Sequence, residues 1–221
     1  MIEIGDVAGP HSGQPVIGRR PRRGRSGALI LLHGRYATAE SMLPLADTLE
    51  LSDWIVVAPQ AAHGTWYPHS FLAPVKHNEP HLSSALGLVD AVVDGLESEG
   101  VNPGQIALLG FSQGACLALE FAAAGDRTLG CVIGLSGGLI GPPSEELAYS
   151  GSQTGLRVFL GCSDVDPHIP LERVHETRMV FEGLGATVTE SIYPGMGHTV
   201  IGDELAASRM LLDDMANRDF Q

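Results

Sequence analysis

Short apolar runs alternate along this chain with longer stretches of helical periodicity, and that alternation leaves few folds open. Six strand-like segments are expected: Ala28 to His33, Trp54 to Ala58, Ile106 to Gly110, Cys131 to Leu135, Leu156 to Gly161, and Thr187 to Tyr193. Five helix-like segments accompany them: Ala39 to Leu49, Leu82 to Glu99, Gln113 to Ala124, Leu171 to Leu184, and Asp203 to Ala216. In the second of these, Leu82, Leu86, Val89, Val93 and Leu96 recur at the spacing of one helix face. Gly100, Gly125 and Gly185 punctuate helix ends, where a left-handed residue stops the helix. The strands are mostly unbroken apolar runs, as required when helices cover both faces of a parallel sheet. Strand then helix, repeated, predicts an α/β fold: a doubly wound, mostly parallel sheet with helices on both faces. No repeat, low-complexity tract or linker divides the 221 residues, so one domain is expected, with residues 1–27 as a strand-and-loop region.

Two connections are long for a compact domain. One runs from Pro59 to about Pro80 and carries Trp66, Tyr67, Phe71 and three histidines, with His81 just after it; the other runs from Gly137 to Gly155. Long irregular loops are usually functional or disordered, and the first is too aromatic for disorder, so it reads as a wall of the binding site. The formal net charge of −13 argues against nucleic acid, whose binding needs a basic surface to release counterions, and against docking on an anionic membrane. Arg19, Arg20, Arg22, Arg23 and Arg25 form one basic stretch, read as a solvated loop between two strands, with a patch for an anionic ligand as the alternative. The apolar residues after the Arg19-Arg20 pair, Ala28 to Leu32, read as a core strand and not as a targeting segment. No run is long enough to cross a bilayer. Cys116, Cys131 and Cys162 have no metal-like spacing and read as buried free thiols, which points to a cytoplasmic protein.

Gly110-Phe111-Ser112-Gln113-Gly114 has the G-x-S-x-G form between an apolar strand and an alanine-rich helix. That context marks a serine on a sharp strand-to-helix turn whose small neighbours let the turn close. A helix N-cap serine is the bland reading, but a cap needs no glycine on either side. Serine is a weak nucleophile until a base takes its proton. His198, in a glycine-rich loop between the last strand and the last helix, is the candidate base. Asp164 and Asp166 both follow the penultimate strand and qualify to orient it, with Asp166 favoured. The backbone N–H of Gln113 and that of Arg35, in the loop after the first core strand, are the expected oxyanion donors. His33 is expected to support that loop by hydrogen bonding.

These residues together resemble the phospholipase/carboxylesterase family, which includes bacterial carboxylesterases and acyl-protein thioesterases. The matching pieces are Leu32-His33-Gly34, Ala58-Pro59-Gln60, Trp66-Tyr67, Gly110 to Gly114, Leu135-Ser136-Gly137-Gly138, Asp166-Pro167 and Gly197-His198, in family order from about residue 28 to the C-terminus. The resemblance implies a minimal α/β-hydrolase without a large cap, acting without metal or organic cofactor. It implies Ser112, Asp166 and His198 as the triad, and Trp66 as a lining of the substrate pocket. Tyr36 stands where many relatives carry glycine and is expected to narrow the pocket; Phe71 is a further candidate substrate contact.

The expected activity is hydrolysis of small-molecule, short-chain carboxylic esters through an acyl-enzyme. A lysophospholipase or acyl-protein thioesterase shares the same triad. A binding protein on a retired hydrolase scaffold would lack one of its members. A metal site from His63, His69, His77 and His81 lacks tight ligand spacing and nearby carboxylates. Phe71 and Leu72, if exposed, would offer an apolar patch for a homodimer.

Overall fold

The computed structural model describes residues 2–21, 24–143 and 147–218. All six expected strands form within two residues of their predicted ends, and all five helices within one. The strands are β2 (Gly27–Leu32), β3 (Trp54–Pro59), β4 (Ile106–Phe111), β5 (Cys131–Leu135), β6 (Arg157–Ser163) and β7 (Thr187–Tyr193). The helices are α1 (Ala39–Thr48), α2 (His81–Ser98), α3 (Gln113–Ala124), α4 (Leu171–Gly183) and α5 (Gly202–Ala216). A seventh strand, β1 (Val16–Arg19), lies in the N-terminal region. Its four residues are too short a run to show periodicity. The sheet order is β1-β3-β2-β4-β5-β6-β7, with β1 antiparallel to β3 and every other neighbour parallel.

The two faces of β2 show why its sequence is apolar throughout. Ala28, Ile30 and Leu32 enter one core with α2, α3 and α4, packed among residues such as Val89, Leu117 and Phe181. Leu29 and Leu31 enter the other with α1 and α5, beside Met42 and Leu212. The period-two side-chain alternation of a strand therefore meets helices on both sides, and no position faces water. Only the outer strand β7 alternates in exposure along its first residues, as a sheet edge does.

The basic stretch is more engaged than a solvated loop. Arg19 ends β1 and pairs with Asp47, Arg20 pairs with Glu99, and Arg25 donates to the carbonyls of Glu99 and Gly100. Arg22 and Arg23 lie outside the described residues. Phe71 is buried and Leu72 half-buried, so this pair forms no exposed patch for a homodimer. Among the described residues no helix is long and apolar enough to cross a membrane.

At the junction of β4 and α3 three backbones meet. A Cβ on Gly110 would lie 2.2 Å from the carbonyl oxygen of Gly114. One on Gly114 would lie 2.1 Å from that of Leu32, at the end of β2. Neither neighbour is a side chain that can swing away. Gly114→Ala is therefore expected to cost about 2–4 kcal/mol of stability through forced backbone shifts, read from the urea midpoint. An unchanged midpoint would show that the approach is looser than described.

Candidate active site

Four loops converge at the carboxyl ends of the strands, where ligands bind in open α/β sheets. Ser112 follows β4, Asp166 follows β6, His198 follows β7, and the His33-Gly34-Arg35-Tyr36 turn follows β2. They bound an open cleft of about 550 Å³.

Ser112 sits at φ 56° and ψ −120°, a left-handed geometry that costs an L-residue about 1–3 kcal/mol. Its N–H donates to Leu135 O at 2.9 Å and its carbonyl accepts from Cys116 N at 3.0 Å, which fixes the turn. The residue stands at the N-cap position of α3, yet its side chain caps nothing. The hydroxyl instead lies 2.9 Å from His198 Nε2. His198 Nδ1 lies 2.7 Å from Asp166 Oδ2. The network assigns the tautomer: Nδ1–H donates to the carboxylate, leaving Nε2 to accept the serine proton.

The Asp166 carboxyl is enclosed, and burial by itself raises its pKa. The His198 hydrogen bond, N–H donation from His168 at 2.8 Å and from Ile169 at 3.1 Å, and the attraction of a charged His198 outweigh burial and hold it below the usual carboxylate range. Asp164 has a different partner, accepting from Gly195 N at 2.7 Å. Ser163 Oγ accepts from Val165 N at 3.1 Å and from Gly197 N at 3.0 Å. These two side chains tie the histidine loop to the end of β6. Sequence inspection missed that role, although both residues precede Asp166 by only a few positions. The His198 ring also packs between Phe111, with centroids 5.0 Å apart, and His168, edge-to-face at 4.8 Å.

The loop after β2 is held from below. His33 Nδ1–H donates to Gly34 O at 2.8 Å, while its Nε2 accepts from Ala61 N at 3.1 Å. Burial lowers the His33 pKa and keeps the ring neutral, the state this pattern requires. The carbonyl it grips belongs to the same peptide unit as the Arg35 N–H, and peptide planarity thereby sets the direction of that donor. Gly34 comes so close that a Cβ on it would be 3.5 Å from Ser112 Cβ. Tyr36 N–H is committed to Gly64 O at 2.6 Å; among the described residues Arg35 N–H donates to no protein carbonyl. Gln113 begins α3, so its N–H has no helical acceptor either. The Gln113 side chain braces the facing wall, accepting from Trp66 N at 3.0 Å and donating to Tyr67 O at 2.8 Å.

Three expectations for substrate contacts meet different outcomes. Phe71 lines the cleft. Tyr36 also lines it, at φ 63°, as a residue that is 79% exposed. Trp66 does not reach the cleft: it is fully buried, its Nε1–H donates to His33 O at 2.8 Å, and its ring packs on that of His33. His63, His69, His77 and His81 do not converge as metal ligands. His69 faces His77, His81 faces the buried His11, and the described residues contain no cluster of three or more metal-binding side chains.

Sheet order, elbow and loop arrangement together define an α/β-hydrolase. The chain belongs to the phospholipase/carboxylesterase family, whose model matches residues 16–214. The crystal structure of a phospholipase/carboxylesterase from Dyadobacter fermentans is 38% identical, with a TM-score of 0.86 over 94% of this chain and 99% of that one. A Bacillus cereus carboxylesterase shares the fold at 18% identity and a TM-score of 0.77, over 92% of this chain and 95% of that one. Acyl-protein thioesterase 1 of Gibberella zeae is 35% identical over 112 residues, 48% of this chain and 46% of that protein. The match spans about half the length of such curated relatives.

Beneath the histidine loop lies a further ionisable group, Glu204, on the first turn of α5. Oε2 accepts from Ile201 N at 3.0 Å; Oε1 is buried without a partner, against Gly161. Burial raises its pKa to about 7 from 4.5. Between those values the folded chain holds a proton that the unfolded chain has lost, so this group's contribution to stability falls as pH rises from about 4.5 to 7. Glu204→Gln keeps an acceptor for Ile201 and removes the titration. Its melting temperature relative to wild type is expected to climb across that window, and a constant difference from pH 4.5 to 8 would contradict the assignment.

Proposed function

We propose that this chain is a carboxylic ester hydrolase that works by two-step acyl transfer through Ser112. The observation that carries the reading is the continuous hydrogen-bonded line from Ser112 Oγ through the His198 ring to Asp166, with the serine held on a strained elbow beside two uncommitted N–H groups. Ser112 attacks the ester carbonyl as His198 Nε2 takes its proton. Asp166 holds the tautomer and stabilises the imidazolium. The N–H groups of Arg35 and Gln113 receive the oxyanion, and the positive end of α3 adds to their field. His198 then returns the proton to the leaving alcohol, and a water repeats the sequence on the acyl-enzyme.

The shape of the cleft supports a reading with small substrates. It is open, and Phe71 and Ile169 supply apolar wall without forming a tunnel for a long chain. We place short-chain carboxylic esters first. Thioesters are the second reading, supported by the thioesterase names of several relatives. Three unpaired, buried thiols suit a reducing, cytoplasmic setting.

Hydrolysis of p-nitrophenyl acetate is expected to fall by roughly 10⁶ in kcat for Ser112→Ala and by on the order of 10⁴ for Asp166→Asn. An initial burst of nitrophenol equal to the enzyme concentration is the expected mark of the acyl-enzyme where deacylation is slower. Full activity in Ser112→Ala would end the serine mechanism. Across acetate, butyrate, octanoate and palmitate esters, kcat/KM is expected to peak at the short end. A peak at palmitate would move the assignment to lipid substrates.

A further inference from the structure

The chain carries 26 acidic residues against 13 lysines and arginines, yet among the described residues no carboxylate lines the cleft. Its wall includes Arg35, whose guanidinium is held by the carbonyls of two other lining residues, Pro68 and His69. Arg127, Arg157, Arg173, Arg178 and Arg209 each pair with a carboxylate. Arg35 makes no such pair among the described residues. Its Nη1 donates to Pro68 O at 2.7 Å and its Nη2 to His69 O. Two neutral carbonyls hold the group in place and leave its charge uncompensated, with further N–H donors unspent. His69 lines the cleft on the same side, and His168 lies by His198.

We infer that the cleft selects esters bearing a compact anion, a carboxylate within a few carbons of the scissile carbonyl, through the Arg35 guanidinium, with His69 and His168 as additional donors. This rests on the ester-hydrolase reading and adds the substrate class to it. Two acids close to the cleft are committed elsewhere, and Glu40, on the first turn of α1, is exposed to solvent. Asp166 spends its charge on the Nδ1 side of His198, and Glu120, below the floor, is engaged by Tyr149 and Ile140 N. The remaining acids lie outside the cleft wall, and those more than about 8 Å away are largely screened at physiological salt. A guanidinium set in a concave, partly apolar wall acts on a bound anion at much lower effective dielectric than bulk water.

The test uses two matched ester pairs: p-nitrophenyl hemiglutarate against p-nitrophenyl valerate, and 4-acetoxybenzoate against its amide. The first puts the charge on the acyl side, the second on the leaving group. In wild type at least one pair is expected to favour the anion by about tenfold in kcat/KM, a difference of about 1.4 kcal/mol. Arg35→Gln should bring that ratio near unity, Arg35→Lys should keep part of it, and 0.5 M salt should shrink it. If Arg35 serves only to latch its loop to Pro68 and His69, both members of a pair fall together in Arg35→Gln and the ratio stays, which overturns the inference. Wild-type ratios at or below one in both pairs overturn it as well, while leaving the hydrolase reading intact. Calorimetric titration of Ser112→Ala with glutarate and with glutaramide separates the two readings from the other side. Glutarate-selective binding that is lost in Ser112→Ala/Arg35→Gln upholds the anion site even if no ester is turned over; equal binding, or none, counts against it.

Discussion

The contact between the end of β2 and the start of α3 is the constraint on which the site depends. Gly114 packs against the carbonyls of Leu32 and His33 with no room for a Cβ, and this brings the Ser112 elbow under the turn that carries Arg35. Were the two backbones a side chain further apart, the serine and the Arg35 N–H would no longer share one carbonyl-sized space. The left-handed φ of Ser112 is the local cost of that arrangement, offset by the bonds to Leu135 and Cys116 and by packing of α3 on the sheet. The proposed nucleophile and oxyanion donors are therefore positioned by a backbone-to-backbone approach, in which no side chain can swing aside.

From this approach outward, each loop is fixed by a polar group: His33, which the sequence reading assigned to this support, and the Trp66 indole and Gln113 amide, which it did not. The His33 ring links Gly34 to Ala61, Trp66 caps the His33 carbonyl, and the Gln113 amide links the elbow to the Trp66-Tyr67 segment. All three are buried, so their bonds are made in low dielectric, where leaving one unmade is expensive. The long aromatic loop is thus structural on its inner side and lines the cleft through Tyr67, Pro68, His69, Ser70 and Phe71.

The legible part of the sequence was periodic or locally punctuated. Continuous apolar strands and amphipathic helices report their own burial, so six strands and five helices could be read from the residue pattern. The glycines around Ser112 report a steric requirement that few other structures share. A strand was expected somewhere in residues 1–27, but the bounds of β1 were not legible, because its pairing with β3 is a tertiary event with no internal period. Trp66 was misplaced because an aromatic beside a site motif can face either way, and only its hydrogen bond to His33 O decides the matter. The side-chain roles of Ser163 and Glu204 depend on loops meeting across the sheet, which spacing along the chain does not encode.

The two aspartates after β6 show how one short segment divides its work. Asp166 lies where three donors converge, from His198, His168 and Ile169, and that environment keeps it ionised despite enclosure. Asp164 points instead to the Gly195 N–H, and with Ser163 on Gly197 it fixes the glycine-rich loop on both sides of Met196. Gly195 and Gly197 both adopt positive φ, so the loop can bend sharply enough to carry His198 back over the sheet. A loop with that much backbone freedom would leave the imidazole poorly placed, and the bonds from β6 remove the freedom again. The acid that orients the histidine ring and the acid that orients its backbone come from the same turn, which couples the two adjustments in one rigid unit.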